Sequence, residues 1–345
     1  MRELAKKIII NRMEKSIHQE DINIMLLPGS MEGKTVGVLI FDSKSNDPLF
    51  FIKVYREESP ERMLKEKTIL QKLKELNNKN KFISPLYIDD GMHNNSPYLA
   101  QSILPGDHDE FNFSKNSHLQ NMKLKKQLFN ITDALIDLAS IEYNADCSKT
   151  FEIGSIINEY NLTFGSVSNK IVLDIDIEYL KMKTIINHND FVPHNILLNS
   201  SDIEPLSVID WTDVNLCGLP FFDLFNFYIH LLMRLRISTS IKDLLSTFHY
   251  GFFEKNDLSA IFLENIKLYA SKVSIEPNYI RQYFYIFLMY SAVQENRKVR
   301  ESIEDNNIPS HIFSMNESTE LDNLKLEYWS EYFAYTQSNQ NKLLL

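Results

Sequence analysis

The chain has 345 residues, with 36 Lys and Arg against 46 Asp and Glu, and so a net charge of −10. Its length suits about two domains, or one two-lobed domain with a large core, and a composition of 44% hydrophobic and 24% charged residues excludes a wholly disordered chain. The acidic balance argues against a broad phosphate-backbone footprint on DNA or RNA.

The opening stretch, Met1–Glu20, mixes Lys6, Lys7, Arg12, Glu14 and Lys15 into its apolar residues and lacks the hydrophobic region of a signal peptide. Three β-type runs follow, Ile22–Leu27, Thr35–Phe41 and Leu49–Tyr55, separated by the turn formers Pro28-Gly29-Ser30 and Ser43–Pro48. A helix comes next. Ser59 suits its N-cap, Pro60 its first position and Glu61 the positive end of its dipole, and it runs to about Leu76 before the polar cluster Asn77–Lys81. A strand pair, Leu86–Asp89 and Tyr98–Ile103, ends at Pro105-Gly106.

Beyond Gly106 the texture is helical. Leu119–Tyr143 carries Leu128, Ile131, Leu135 and Leu138 at amphipathic spacing, and after Pro220 nearly all of the chain reads as helix. The most apolar runs, Phe221–Leu232 and Tyr283–Val293, are shorter than the ~18–20 residues that span a bilayer and read as buried helices. Only 9 glycines occur, so no flexible linker separates independent domains. The expected class is α+β, with a β-rich lobe over residues 1–104, a helical lobe over 105–345 and Pro105-Gly106 as hinge. Cys147 and Cys217 lie 70 positions apart with no paired Cys/His spacing, which excludes a disulfide framework and a zinc ribbon and fits a reducing cytosol. A cytoplasmic protein without nucleic-acid or membrane partners is expected; its oligomeric state is not legible.

The chemistry concentrates in His188-Asn189-Asp190-Phe191-Val192-Pro193-His194-Asn195, followed after a turn by Leu206-Ser207-Val208-Ile209-Asp210-Trp211. Two apolar runs around the turn Ser200–Pro205 read as a hairpin, which sets Asn195 opposite Asp210 at its open end. A carboxylate and an amide oxygen there make a hard oxygen site suited to Mg²⁺, and Asp190 lies on the loop leading into it. In the N-terminal part, Lys53 lies in the apolar strand Phe50–Tyr55. Glu66 shares a helix face with Met63, Leu70 and Leu73, where a carboxylate is costly unless paired, and Lys53 is its expected partner. An ordinary surface charge remains the alternative for each alone.

The H-x-D-x-x-x-x-N pattern followed by I-D-W closely resembles the motifs of the aminoglycoside phosphotransferase/choline kinase family, whose fold is protein-kinase-like. Gly218-Leu219-Pro220-Phe221-Phe222-Asp223-Leu224 is similar to that family's G-x-P-x-x-D-L segment. The resemblance implies an ATP- and Mg²⁺-dependent phosphotransferase, GTP not being excluded as donor. By it, Asp190 orients and deprotonates the acceptor hydroxyl, Asn195 and Asp210 hold Mg²⁺, and Lys53, supported by Glu66, holds the phosphates. It also implies that the strand Tyr98–Gly106 brings the backbone of Ser102 to Leu104 to the adenine edge.

One departure is Asn189, where the family usually has Gly; if the position needs positive φ, Asn is the least costly substitute. Gly33-Lys34-Thr35 resembles the end of a P-loop, but the first glycine position holds Pro28 and a strand follows where a helix is needed. Gly29, Ser30 and Gly33 suit a phosphate-covering loop instead, or a plain hairpin turn. His188 and His194 read as loop-packing residues, Asp223 as a loop support or a helix cap, and Tyr279, Tyr283, Phe284, Tyr285, Phe287 and Tyr290 as core. The acceptor stays open among an aminoglycoside, an amino alcohol and a sugar, the first two mildly favoured by the acidity of Asp174, Asp176 and Glu178. A nucleotide-binding regulatory protein of kinase-like fold, a nucleotidyl-transferring enzyme and a protein-modifying enzyme are the other readings.

Overall fold

The computed structural model describes residues 1–13, 21–27, 35–56, 60–76, 82–107, 111, 117–142, 152–165, 167, 171, 175–181, 183–198, 206–235, 244–305 and 329–345. The chain divides into two compact units, Met1–Asp109 with His194–Val214, and Glu110–Pro193 with Asn215–Leu345. The sequence predicts one cut between residues 104 and 105. In the structure His194–Val214 groups with the N-terminal unit, because its strands complete a sheet there.

The first unit is built on a five-stranded antiparallel sheet in the order β1-β2-β3-β6-β5, with β1 Ile22–Leu27, β2 Thr35–Asp42, β3 Pro48–Tyr55, β5 Tyr87–His93 and β6 Ser96–Gln101. Alternate residues face opposite ways, so each face has its own covering. On one face Ile22, Val38, Ile40, Phe50, Ile52, Tyr98 and Ala100 close against Leu4, Ala5, Ile8 and Ile9 of helix α1, Arg2–Met13. The sequence shows that stretch only as something other than a leader; its helix becomes legible once the sheet supplies a surface for it. An Arg12–Asp89 ion pair of 2.9 Å fastens its end.

Helix α2, Glu61–Leu76, covers the other face; Met63, Glu66, Leu70 and Leu73 are buried as the spacing predicts, and Ile69 is buried with them. The N-cap expected at Ser59 lies outside the described residues. A smaller sheet, β4-β9-β8, joins β4 Phe82–Ile83 in parallel to β9 Leu206–Val208, which pairs antiparallel with β8 Ile196–Leu197. Phe82 stacks on Trp211 at 6.0 Å between ring centroids. Strands β5 and β6 are displaced from their predicted spans because the turn joining them is Asn94-Asn95, with φ 50° and 63°. Consecutive positive φ values make the tight hairpin whose twist matches the flanking strands, and Asn tolerates them.

The second unit is mainly helical: α3 His118–Ala139, α4 Ile153–Phe164, α5 Ile177–Lys181, α6 Phe222–Leu235, α7 Leu244–Phe252, α8 Asp257–Lys272, α9 Ile280–Asp305, and α10 over residues 329–338. Leu128, Ile131, Leu135 and Leu138 of α3 are buried as expected, and Ser117 caps its N-terminus through the Gln120 N–H. Of the aromatic series on α9, Tyr283, Phe284, Tyr285 and Phe287 are buried, Phe284 edge-on to Phe225 at 4.9 Å, while Tyr290 is half-buried against Phe222. Tyr279 is also half-buried and stacks on Tyr179. Among the described residues no helix is long and apolar enough to cross a membrane.

A two-stranded ribbon, β7 Ile185–Asn187 with β10 Asn215–Gly218, carries the loop that follows β7. Cys217 on β10 is buried and disulfide-bonded, so the expectation of reduced cysteines does not hold for it. Gly218 is required by close approach. A Cβ there would lie 1.5 Å from Asn187 Oδ1 and 2.9 Å from Asn187 Cβ, so the whole Asn187 side chain would have to move. Gly218→Ala should therefore cost about 1–3 kcal/mol, read as a lower urea midpoint at unchanged m-value.

Candidate active site

In the first unit, β3 alternates apolar residues with Lys53, whose side chain the sheet and α2 bury to 6% exposure. An ammonium there must be paired, and Nζ donates to Glu66 Oε1 and Oε2 at 2.9 and 3.1 Å and to Asp210 Oδ1 at 2.8 Å. Burial alone would lower the Lys53 pKa, but the charges of Glu66 and Asp210 outweigh it and the pKa lies above the ordinary lysine value. Glu66 is fully buried, whereas the Asp210 side chain is 49% exposed. One end of this ion chain is therefore sealed and the other is open to a ligand.

Two further residues complete the cluster, and the sequence reading missed both. The Thr212 hydroxyl accepts from Lys53 Nζ and lies 2.6 Å from Asp210 Oδ1 and 3.1 Å from Glu66 Oε2. With one proton it donates to one carboxylate at a time and ties both to the lysine. The Tyr55 hydroxyl donates to Glu66 Oε2, and burial, followed by the Glu66 charge, pushes the phenol pKa far up. Strand period puts Tyr55, two after Lys53, on the lysine's face, whereas Thr212 lies in a 3-10 turn that no local pattern assigns to the cluster. Next to them Arg62 of α2 bridges Asp213 at 2.6 Å.

The hairpin of the predicted metal pair is present with its register moved by one. Ile196 pairs with Val208 and Leu197 with Ser207, and the Ile209 N–H donates to the Asn195 carbonyl at 3.0 Å. Asn195 thus faces Ile209 and not Asp210. The reason is local: Asp210 leaves the ladder in the left-handed region, φ 60° and ψ 67°, and enters the 3-10 turn Trp211–Asp213. That departure directs its carboxylate to Lys53. Asn195 is buried. An amide oxygen and a half-exposed carboxylate are hard oxygen donors and fit Mg²⁺, which takes few protein ligands besides phosphate oxygens and water.

Ser102 commits its N–H to the Leu86 carbonyl at 2.9 Å and its hydroxyl oxygen to the Leu86 N–H at 2.8 Å. These bonds fix the start of the segment that leads through the half-buried Leu104 to Pro105, whose carbonyl accepts from Ser207 Oγ at 2.7 Å. Gly29, Ser30 and Gly33 lie outside the described residues.

In the second unit, the loop after β7 carries Asp190, which is half-buried. Asn189 has φ 68°, the conformation that makes Gly usual at such a position and Asn its best substitute. The loop is held by Asp223, buried at the start of α6, which accepts the His188 N–H at 2.7 Å and the Asn189 N–H at 2.8 Å. Of its two readings, loop support is the one the structure bears out. His188 is buried edge-on to Phe191 at 5.8 Å, as a packing residue. His194 is exposed, contrary to the packing role expected of it, because it heads a 3-10 turn whose neighbours Pro193 and Asn195 take the buried positions.

The solved structures that this chain is similar to cover nearly all of it. A Ralstonia eutropha protein provisionally named an aminoglycoside phosphotransferase superposes with a TM-score of 0.63 at 10% identity over 98% of each chain. The chain has the fold of the aminoglycoside phosphotransferases. A microcompartment-associated aminopropanol kinase gives 0.56 at 12% identity over 99% of each chain. The GDP and kanamycin complex of an aminoglycoside 2"-phosphotransferase gives 0.54 at 12% identity over 97% of this chain and 99% of that one. No family model and no curated protein matches the sequence; at these identities the likeness is one of fold.

Two outcomes follow from the ion chain and the buried acid. Lys53→Met strands the sealed Glu66 carboxylate and should cost about 3–5 kcal/mol in chemical denaturation, most of it recovered in Lys53→Met/Glu66→Leu. Burial raises the Asp223 pKa from 3.8 to about 6, against the loop N–H donors that lower it. The folded state then holds the proton more tightly than the unfolded chain, so stability is lost as pH rises through that window, by on the order of 3 kcal/mol. Denaturation at pH 4 and pH 7 should show wild type losing ground to Asp223→Asn at the higher pH.

Proposed function

We propose that the protein is a phosphotransferase of the aminoglycoside phosphotransferase/choline kinase type, moving the γ-phosphoryl group of ATP to a hydroxyl of a small molecule. The observation that carries this reading is the buried Lys53 ammonium, sealed by Glu66 on one side and joined on the other to the half-exposed Asp210. Such a lysine is a fixed positive charge for nucleotide phosphates. Asn195 and Asp210 would hold Mg²⁺, which when bound supplies neutralisation of phosphate charge. Asp190 takes the acceptor's proton as its oxygen bonds to the γ-phosphorus and the bond to the β-phosphate oxygen breaks, with ADP leaving. The loop that carries Asp190 has the backbone this role requires, since Asn189 adopts the positive φ and Asp223 fixes two of its N–H groups. That geometry favours an active enzyme over a regulatory module with a damaged loop.

The acceptor class we propose is an alcohol that also bears an amine or is a sugar. Support comes from the net charge of −10, the exposed Asp176 and Glu178, and neighbours that include an aminopropanol kinase and a kanamycin complex. GDP complexes among the neighbours make GTP the second donor to try. A cytoplasmic protein without nucleic-acid or membrane partners remains part of this proposal.

The deciding experiment combines ADP release over a panel of aminoglycosides, amino alcohols and sugars with thermal shifts by ATP. Wild type should show a Mg²⁺-dependent shift that Asp210→Ala loses. Asp190→Asn should keep the shift while turnover falls by about 10²–10⁴. A folded wild type that shows no shift at saturating Mg²⁺ and ATP would overturn the reading.

A further inference from the structure

The ion chain around Lys53 holds more acceptors than the lysine has protons. Its ammonium carries three N–H donors. Four oxygens stand within reach: Glu66 Oε1 and Oε2 at 2.9 and 3.1 Å, Asp210 Oδ1 at 2.8 Å, and the Thr212 hydroxyl. A nucleotide phosphate would be a fifth, so its arrival must displace one of them. Glu66 is sealed from solvent, and no water can replace the lysine there. Asp210, whose side chain is 49% exposed, is the carboxylate that can let go.

Thr212 supplies the donor that Asp210 then needs. Its hydroxyl has one proton and two carboxylates to choose between, Asp210 Oδ1 at 2.6 Å and Glu66 Oε2 at 3.1 Å. Glu66 Oε2 already accepts from Tyr55 and from Lys53, which leaves the proton to the nearer Asp210 oxygen. The turn that carries Thr212 is fastened independently of that hydroxyl. On one side Trp211 stacks on Phe82 and donates from Nε1 to the Val208 carbonyl at 2.9 Å. On the other, Asp213 pairs with Arg62.

We propose that Thr212 is a positioning residue of the nucleotide site, which keeps Asp210 Oδ1 hydrogen-bonded while Lys53 turns from that oxygen to a nucleotide phosphate. This rests on the nucleotide-binding reading above. Without the hydroxyl the resting protein loses little, because three N–H groups then meet three carboxylate oxygens. The cost falls on the bound state, where an anionic oxygen facing the buried cluster is left without its donor. Thr212 therefore contributes to ligand affinity more than to folding.

The test is calorimetric titration of the full-length protein with ATP at saturating Mg²⁺, each variant first shown to be folded by its urea transition. Thr212→Ser, which keeps the hydroxyl, should bind within about twofold of wild type. Thr212→Val, which keeps the shape, and Thr212→Ala should each bind about tenfold more weakly or worse, the value of one hydrogen bond to a charged group. If one of these two fails to fold, the other decides. A packing role gives a different order, with Thr212→Val close to wild type and Thr212→Ser and Thr212→Ala both impaired, and that order would overturn the proposal. So would equal binding by wild type and every folded variant. Absence of ATP binding by folded wild type would overturn the nucleotide reading itself and this proposal with it.

Discussion

A lysine ammonium inside an apolar sheet is the interaction on which the first unit depends. Lys53 is tolerable on β3 only because Glu66 from α2, and Asp210 and Thr212 from one distant turn, converge on it. Satisfying it requires α2 to lie on one face of the sheet with Glu66 inward, and residues 210–213 to return more than 150 positions later. Buried ion clusters of this kind are poor sources of stability, because desolvation offsets most of the attraction. Their effect is to specify one arrangement. Here the specified arrangement leaves a half-exposed carboxylate beside a fixed cation, a chemistry that an apolar core of the same volume would lack.

The second unit meets a different constraint. The loop after β7 turns through a positive φ at Asn189, and Asp223 accepts two of its amide groups. A carboxylate held in place by two backbone donors at a buried position gives up solvation to hold a loop in one shape. Gly218 belongs to the same construction, since Asn187, the side chain it makes room for, also reaches Asp223 at 3.4 Å. The G-x-P-x-x-D-L segment is thus a support for the loop carrying Asp190.

The two faces of the main sheet have separate uses. One is closed by α1 into an ordinary core. The other, covered by α2, carries Lys53 with its partner Glu66. Period-two alternation is what allows one strand to serve both, because it places the residues packed on α1 and the residues of the ion cluster at alternate positions.

By itself the sequence determined the residue types and spacings of the chemistry: Lys53 with Glu66, Asp190 five before Asn195, and Asp210 after an apolar strand. Local rules sufficed for these, since strand period, helix period and turn formers act within a few residues. Asn189 was legible as a positive-φ position for the same reason. Other features arise from contacts between segments far apart in the chain, and only the tertiary structure decided them. Thr212 and Tyr55 join the ion chain because α2 and residues 210–213 meet over β3. The hairpin register moved by one because Asp210 leaves the ladder to reach Lys53. Strand β4 is two residues long and forms because β9 lies beside it. Helix α1 buries Leu4, Ala5, Ile8 and Ile9 only because the sheet offers them a face. Side-chain identity is written locally, whereas burial and partnership are properties of the folded neighbourhood.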